Sequence, residues 1–188
     1  MKRIIRYFQQ KKRESQVKKA ELDRLKIDPD DLNIVHVPNP LLKTVCPLTD
    51  INEDSVLNNL IIKRMAVLML GYDGKRTRWL GVGLAAPQIG ILKRFFVMTP
   101  SKTFRENNIW YCFNPLITNQ GRDTETVDEG CLSCDPSSFK PVTRWRVIEV
   151  QYYDLNRQLV RKTLKGWEAK IFQHEFDHLN GVLCINKK

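Results

Sequence analysis

Two histidines four residues apart, with a glutamate between them, pose the first chemical question: His174-Glu175-Phe176-Asp177-His178. On a helix such residues share a face, so both imidazoles can meet one metal ion while Glu175 projects beside it toward a bound water. That placement suits Glu175 to general acid and base work. A chance meeting of these groups on a polar helix face is the plainer alternative, but the chain holds three histidines in all and the other is His36. A catalytic site of this kind needs a third protein ligand and an open position for water.

Cysteine is the residue type to search for that ligand. Glu129-Gly130-Cys131-Leu132-Ser133 sets Cys131 between an acidic residue and a glycine, at the end of a predicted strand, and Cys131 is the ligand we select over a merely buried thiol. Two rival ligand sets stay open on the residues alone. Cys131 and Cys134 form a Cys-x-x-Cys pair that, with both histidines, would close a structural zinc site and leave Glu175 idle; such a site would suit a zinc-stapled RNA-binding module. His174, His178, Gly181 and Cys184 follow the spacing of a long zinc-protease motif, which would make a small endopeptidase, although four residues after Cys184 leave no room for that motif's downstream Met-turn. A third segment, Gly81-Val82-Gly83-Leu84-Ala85-Ala86-Pro87-Gln88-Ile89-Gly90, lacks the Gly-Lys-Ser/Thr ending of a phosphate loop. Its small residues let backbone approach a ligand, and the Gln88 amide could meet an oxyanion; a small-residue strand or turn in the core fits it equally.

The elements that must position these groups follow from periodicity. Leu32 to Val37 is an apolar run ended by Pro38 and Pro40 and predicts a short strand. Asn52 can cap a helix over 53–70, where Leu57, Leu60, Ile61, Met65 and Leu68 recur at helical steps and Lys63 and Arg64 face out. Gly71 and Gly74 close it and open a polar loop through Arg78. Strands are predicted at 93–99, 109–118, 126–132, 145–153 and 158–163 from β-branched and aromatic content between turn residues. From Lys165 onward, Trp167, Ile171, Phe172, Phe176 and Leu179 keep helical spacing until Gly181, a residue suited to the left-handed position past a helix end.

The whole chain sets bounds on these readings. Its 188 residues, 42% of them hydrophobic, suffice for one domain with a sizeable core. There is no apolar run of about 18 residues and no apolar stretch after the first methionine, so neither a membrane span nor a secretory signal is expected. Of the net charge of +10, residues 1–20 carry +7, eight Lys or Arg against Glu14 alone. We expect residues 1–31 to be a basic extension, solvated or in contact with ribosomal RNA, and residues 32–188 to be the catalytic domain. A cytoplasmic location is expected, with an organelle the alternative if the extension is a transit peptide; Glu14, Glu21 and Asp23 fit that alternative poorly. Five cysteines, an odd number, argue for reduced thiols.

Taken in order, Gly-x-Gly-Leu-Ala-Ala-x-Gln at 81–88, Glu-Gly-Cys-Leu-Ser at 129–133 and His-Glu-x-x-His at 174–178 resemble the three signature segments of the peptide deformylase family, and the resemblance spans residues 32 to 184. It implies an α+β domain in which antiparallel or mixed sheets wrap a central C-terminal metal-binding helix, with a further helix near the N-terminus. It implies hydrolysis of the formyl group from N-formylmethionine at the start of nascent polypeptides, with release of formate. Carried onto this sequence, the resemblance makes Cys131, His174 and His178 the ligands of one divalent ion, ferrous iron with nickel, cobalt or zinc as substitutes. Glu175 handles the proton of the attacking water. Gln88 and the Leu132 N–H stabilise the oxyanion, Gly83 lies beside the formyl group, and Glu129 pairs with Arg144 to hold the cysteine segment. Val82, Ile171, Phe172 and Leu132 are the expected walls of an apolar pocket for the methionine side chain, with the peptide held by strand addition beside residues 81–84. The sequence departs from the family pattern after Ser133, where Cys134-Asp135-Pro136 replaces an apolar residue followed directly by proline.

Overall fold

Alternation along one short strand organises the molecule. In the computed structural model, which describes residues 33–52, 55–69, 81–100, 108–135 and 137–187, strand β2 (Phe95–Met98) is buried on both faces. Phe95 and Val97 point to one side and Phe96 and Met98 to the other, as the two-residue period of a strand requires. Each side is covered by a helix. On the first lies α1 (Ser55–Met69), whose Ile61, Ile62, Met65, Ala66, Leu68 and Met69 pack with Leu84, Phe95, Val97 and Phe113 while Lys63 stays outside. On the second lies α2 (Gly166–Leu179), which brings Ala169, Ile171, Phe172 and Leu179 against Phe96, Met98, Cys112, Ile148, Val150 and Tyr152. Phe172 meets Phe96 edge-on at 5.0 Å between ring centres and Tyr152 at 6.3 Å, and burying such a ring is worth roughly 1.5–3 kcal/mol.

A five-stranded sheet runs in the order β1 (Gly83–Ala85), β2, β3 (Trp110–Gln120), β6 (Val147–Tyr153) and β7 (Leu159–Lys165), and β4 (Thr124–Glu129) with β5 (Lys140–Trp145) forms a separate ribbon. All described pairings are antiparallel. The expected α+β class, with antiparallel sheets packed about a C-terminal helix, is the architecture seen. No helix among the described residues is long and apolar enough to cross a membrane.

Helix α2 ends as its sequence predicts. Gly181 takes φ +70, its N–H donates to the His178 carbonyl at 3.2 Å, and the Val182 N–H donates to Asp177 O at 3.0 Å, which together make a Schellman cap. Arg94 reinforces this end: its guanidinium donates to Leu179 O and, through both Nη atoms, to Asn180 Oδ1, and lies over the Phe176 ring. A cation on the last carbonyls of a helix also opposes the negative end of its dipole.

Three expectations need correction. The strand predicted over 32–37 is absent from its described part, 33–37. Val35 N–H donates to Gln88 O at 2.7 Å and Val37 N–H to Ser133 O at 2.9 Å, so the segment straps two distant loops and pairs with no single neighbour. The strand predicted over 126–132 ends at Glu129, because the chain turns at Cys131. Strand β5 was not predicted: its buried side chains are Val142 and Arg144, and a buried arginine carries no hydrophobic signal. Asn52 lies three residues before the first described helical residue, and residues 53 and 54 fall outside the described residues, as do the extension 1–31 and the loop 71–78.

Candidate metal centre

Helix α2 and the turn that follows β4 bring three donors together. The Nε2 atoms of His174 and His178 stand 3.2 Å apart, and Cys131 Sγ lies 3.3 Å from His178 Nε2. Among the described residues these three side chains form the one group placed to hold a metal ion, with ligand atoms all within 4.8 Å of one another. Neither rival ligand set, with Cys134 or with Cys184, is grouped this way. The histidines stand one above the other because α2 carries them four residues apart, while Cys131 is delivered by the turn closed by Cys134 N–H donating to Cys131 O at 3.0 Å. The thiols of Cys134 and Cys184 lie close enough to couple electrostatically with that of Cys131, which raises the pKa of Cys131 and lowers that of Cys134.

Behind the donors stands a charged lattice. Arg144, fully buried, grips Glu129 with two bonds, Nε to Oε1 at 2.7 Å and Nη2 to Oε2 at 2.8 Å, and its Nη1 also donates to Asp177. Asp177 accepts in turn from Lys187 at 2.7 Å. Burial opposes ionisation of Glu129, but hydrogen bonds from Arg144 and His174 outweigh it and bring its pKa down to about 2. An ionised Glu129 can only accept, so His174 Nδ1 carries the proton at 2.9 Å and the Nε2 lone pair is left for a metal. Burial lowers the His174 pKa and the Glu129 bond more than reverses it; His178, buried and close to His174, is pushed down and stays neutral.

Glu175 occupies a different environment. It is buried, its Oε2 has no protein partner, and burial raises its pKa to about 7, so it can both take and return a proton near neutral pH. Against it lies the backbone of β1: a Cβ built on Gly83 would stand 2.2 Å from Glu175 Oε1. Gln88, on the turn Ala86–Ile89, accepts from Ala85 N–H through Oε1 at 2.8 Å, while its Nε2 donates to Ser133 Oγ at 3.2 Å and Cys131 Sγ at 3.4 Å.

The structure therefore gathers Cys131, His174, His178, Glu175, Gln88, Gly83, Glu129 and Arg144 around one point. Leu132 follows Cys131 in the turn, with its side chain over Gly81, and Val82 is partly exposed. Ile171 sits one turn before His174 and Glu175 on α2 and is 4% exposed. Phe172, expected as a pocket wall, is instead a core residue enclosed between Phe96 and Tyr152. Sequence reasoning missed Ser133, whose buried hydroxyl orients Gln88, and Asp177, the second anchor of Arg144. Asp177 lies within the histidine motif itself, but only the fold reveals the cation it faces.

Comparison with known proteins gives a consistent result. Residues 31–188 match the polypeptide deformylase family. A peptide deformylase of Thermotoga maritima is 41% identical over 147 residues, 78% of this chain and 80% of that protein. The crystal structure of the Thermotoga maritima enzyme superposes with a TM-score of 0.70 at 39% identity, covering 83% of this chain and 96% of that one. A class I type b peptide deformylase from Acinetobacter baumannii with Met-Ala-Ser bound gives 0.72 at 30% identity, covering 84% and 98%.

Proposed function

Because this chain belongs to the polypeptide deformylase family, we infer that the centre just described removes the formyl group from the N-terminus of nascent peptides, with each residue in the role set out below. The chain is a metal-dependent hydrolase, and Cys131, His174 and His178 form a site for one metal ion. The donor set fits such an ion: one thiol sulfur and two Nε2 atoms converge, one imidazole is oriented by Glu129, and a buried carboxylate with one oxygen lacking a protein partner stands beside them. A divalent ion held there supplies the Lewis acid that makes water nucleophilic near neutral pH. Ferrous iron, with zinc, nickel or cobalt as substitutes, is the assignment the family resemblance implies, and a thiolate with two imidazoles accepts any of these ions.

The protein's own groups perform the remaining steps. Glu175, at a pKa of about 7, accepts a proton from the attacking water and delivers it to the departing amine, so that formate and a free methionyl terminus result. Gln88 and the Leu132 N–H meet the negative charge that grows on the formyl oxygen. In the resting site the Gln88 donors lie on Cys131 and Ser133, and its Oε1 bond to Ala85 N–H holds the amide in place. Gly83 leaves no side chain beside Glu175, which gives the formyl carbon its space. Strand β1 is an edge of the five-stranded sheet, which supports docking of an extended peptide along residues 81–84, with Val82, Leu132 and Ile171 toward the methionine side chain. The match over residues 31–188 supports 32–188 as the catalytic domain, and the +7 charge of residues 1–20 supports contact with ribosomal RNA in a cytoplasmic setting.

The observation that carries this reading is the convergence of three metal-ligand atoms beside a buried carboxylate of raised pKa. Its test is formate release from a formyl-Met peptide under anaerobic conditions, with bound metal measured alongside. Cys131→Ala should lose metal and turnover together while Cys184→Ala keeps its metal. Retention in the first and loss in the second would favour the endopeptidase arrangement instead.

A further inference from the structure

Three of the five cysteines lie near enough to influence one another's ionisation, and the proposed chemistry uses one of them. Cys131 and Cys134 are the ends of a four-residue turn closed by a 3.0 Å backbone hydrogen bond. The ends of such a turn lie within about 7 Å, the range a disulfide spans. Their thiols are near enough to perturb each other's ionisation. Exposure separates them: Cys131 is partly open to solvent, whereas Cys134 is 4% exposed and Cys184 is 2% exposed. The more exposed residue, Cys131, is the one a small oxidant meets first, with Cys134 its neighbour in the same turn.

We propose that Cys134 is a resolving thiol for Cys131, so that peroxide converts the pair to a reversible Cys131–Cys134 disulfide before Cys131 is oxidised irreversibly. In the first step the Cys131 sulfur attacks the peroxide O–O bond, becoming a sulfenic acid and releasing water. In the second the Cys134 sulfur attacks the Cys131 sulfur, displaces the hydroxyl as water and closes the S–S bond. Two thiols and one hydrogen peroxide thus give one disulfide and two waters, and a dithiol reductant reverses the result. Cys134 is preferred to Cys184 because it shares one turn with Cys131, while Cys184 sits on a separate turn, Cys184–Asn186. The bridge takes away the sulfur donor of the metal site, so oxidation and metal release go together. Only that last clause rests on the proposed metal chemistry.

The test treats zinc-loaded full-length protein with hydrogen peroxide, zinc being redox-inert, then alkylates free thiols and digests with trypsin. Cys131 and Cys134 fall in one peptide, residues 123–144, since the bond before Pro141 resists cleavage, and Cys184 falls in residues 171–187. The expected product is peptide 123–144 lighter by two hydrogens and unalkylated, with Cys184 alkylated and zinc released in step. Dithiothreitol should restore the thiols and zinc binding. In Cys134→Ser the same treatment should carry Cys131 on to sulfinic and sulfonic acids, and zinc binding should not return; Cys184→Ser should behave as wild type. A cross-link between the two peptides, over-oxidised Cys131 in the wild type, full recovery in Cys134→Ser, or thiols untouched by peroxide would each overturn the proposal. None of these readings uses formate release, so failure here is distinct from failure of the deformylase assignment.

Discussion

Replacing Gly83 by alanine adds one methyl group at the most confined point of the site. Gly83 has no positive φ, so its backbone accepts alanine and the whole effect is steric. The new Cβ would stand 2.2 Å from Glu175 Oε1, 2.6 Å from Cδ and 2.7 Å from Cγ. Rotating the carboxylate tip relieves only the first of these contacts, so the side chain must swing as a unit. Reaching an ordinary contact of 3.4 Å moves Oε1 by about 1.2 Å, and a misplacement near 1 Å in a proton-transfer group costs on the order of 100-fold in rate, about 2.7 kcal/mol of barrier. Cys131, His174 and His178 are not touched, so metal content should be unchanged. The assay is kcat/KM for anaerobic formate release at matched metal occupancy, with Glu175→Gln as a second background. There the methyl group should cost less, because its push on the Glu175 carboxylate no longer matters and only the space it takes from the formyl group remains. Wild-type kcat/KM in Gly83→Ala, loss of metal, or an equal penalty in both backgrounds would refute the reasoning.

Three further outcomes follow from the charged groups. In metal-free protein, the raised Glu175 pKa means that the folded state favours the neutral acid. Its contribution is therefore complete below the ordinary value of 4.5 and is lost as pH rises to about 7, on the order of 3 kcal/mol. Urea unfolding of wild type against Glu175→Gln across that window should show an additional loss of stability with rising pH in the wild type, over the slope the two histidines leave in both, and parallel curves would count against it. Glu129→Gln removes the anion that fixes the His174 proton, so metal affinity should fall about 10- to 100-fold in a chelator competition, and unchanged affinity would sink the orientation argument. Arg144→Lys cannot reproduce the two-bond grip on Glu129 together with the bond to Asp177; we expect a loss of about 3 kcal/mol in chemical denaturation, and a neutral result would show the lattice to be dispensable.

What the sequence disclosed depended on whether a signal was local. The strands β2, β3, β6 and β7 and both helices were found because apolar residues repeat along them, and the end of α2 was found because Gly181 must adopt a conformation other residues avoid. Strand β5 escaped because its inward positions are shared between Val142 and Arg144. The apolar run 32–37 misled because its backbone bonds go singly to Gln88 and Ser133, which no period can foretell. In the site, the histidine pair with Glu175 was readable from spacing alone. The choice of Cys131 over Cys134 and Cys184 was not settled by spacing, since each fits a zinc-motif pattern; geometry decides it through the distance to His178. Phe172 was misassigned because an aromatic on a site-bearing helix looks the same whether it faces a ligand or the core.

The sulfur donor and the farther of its imidazole partners lie 47 residues apart in sequence, on a ribbon and on a helix that meet only in the finished structure. A polypeptide still emerging cannot capture the ion, because half the clasp does not yet exist. Once caught, the ion staples ribbon to helix, so its binding free energy is added to that of folding. Metal supply would then act as a late inspection of each new molecule: those whose ribbon and helix have closed correctly retain the ion, and those that have not remain inert.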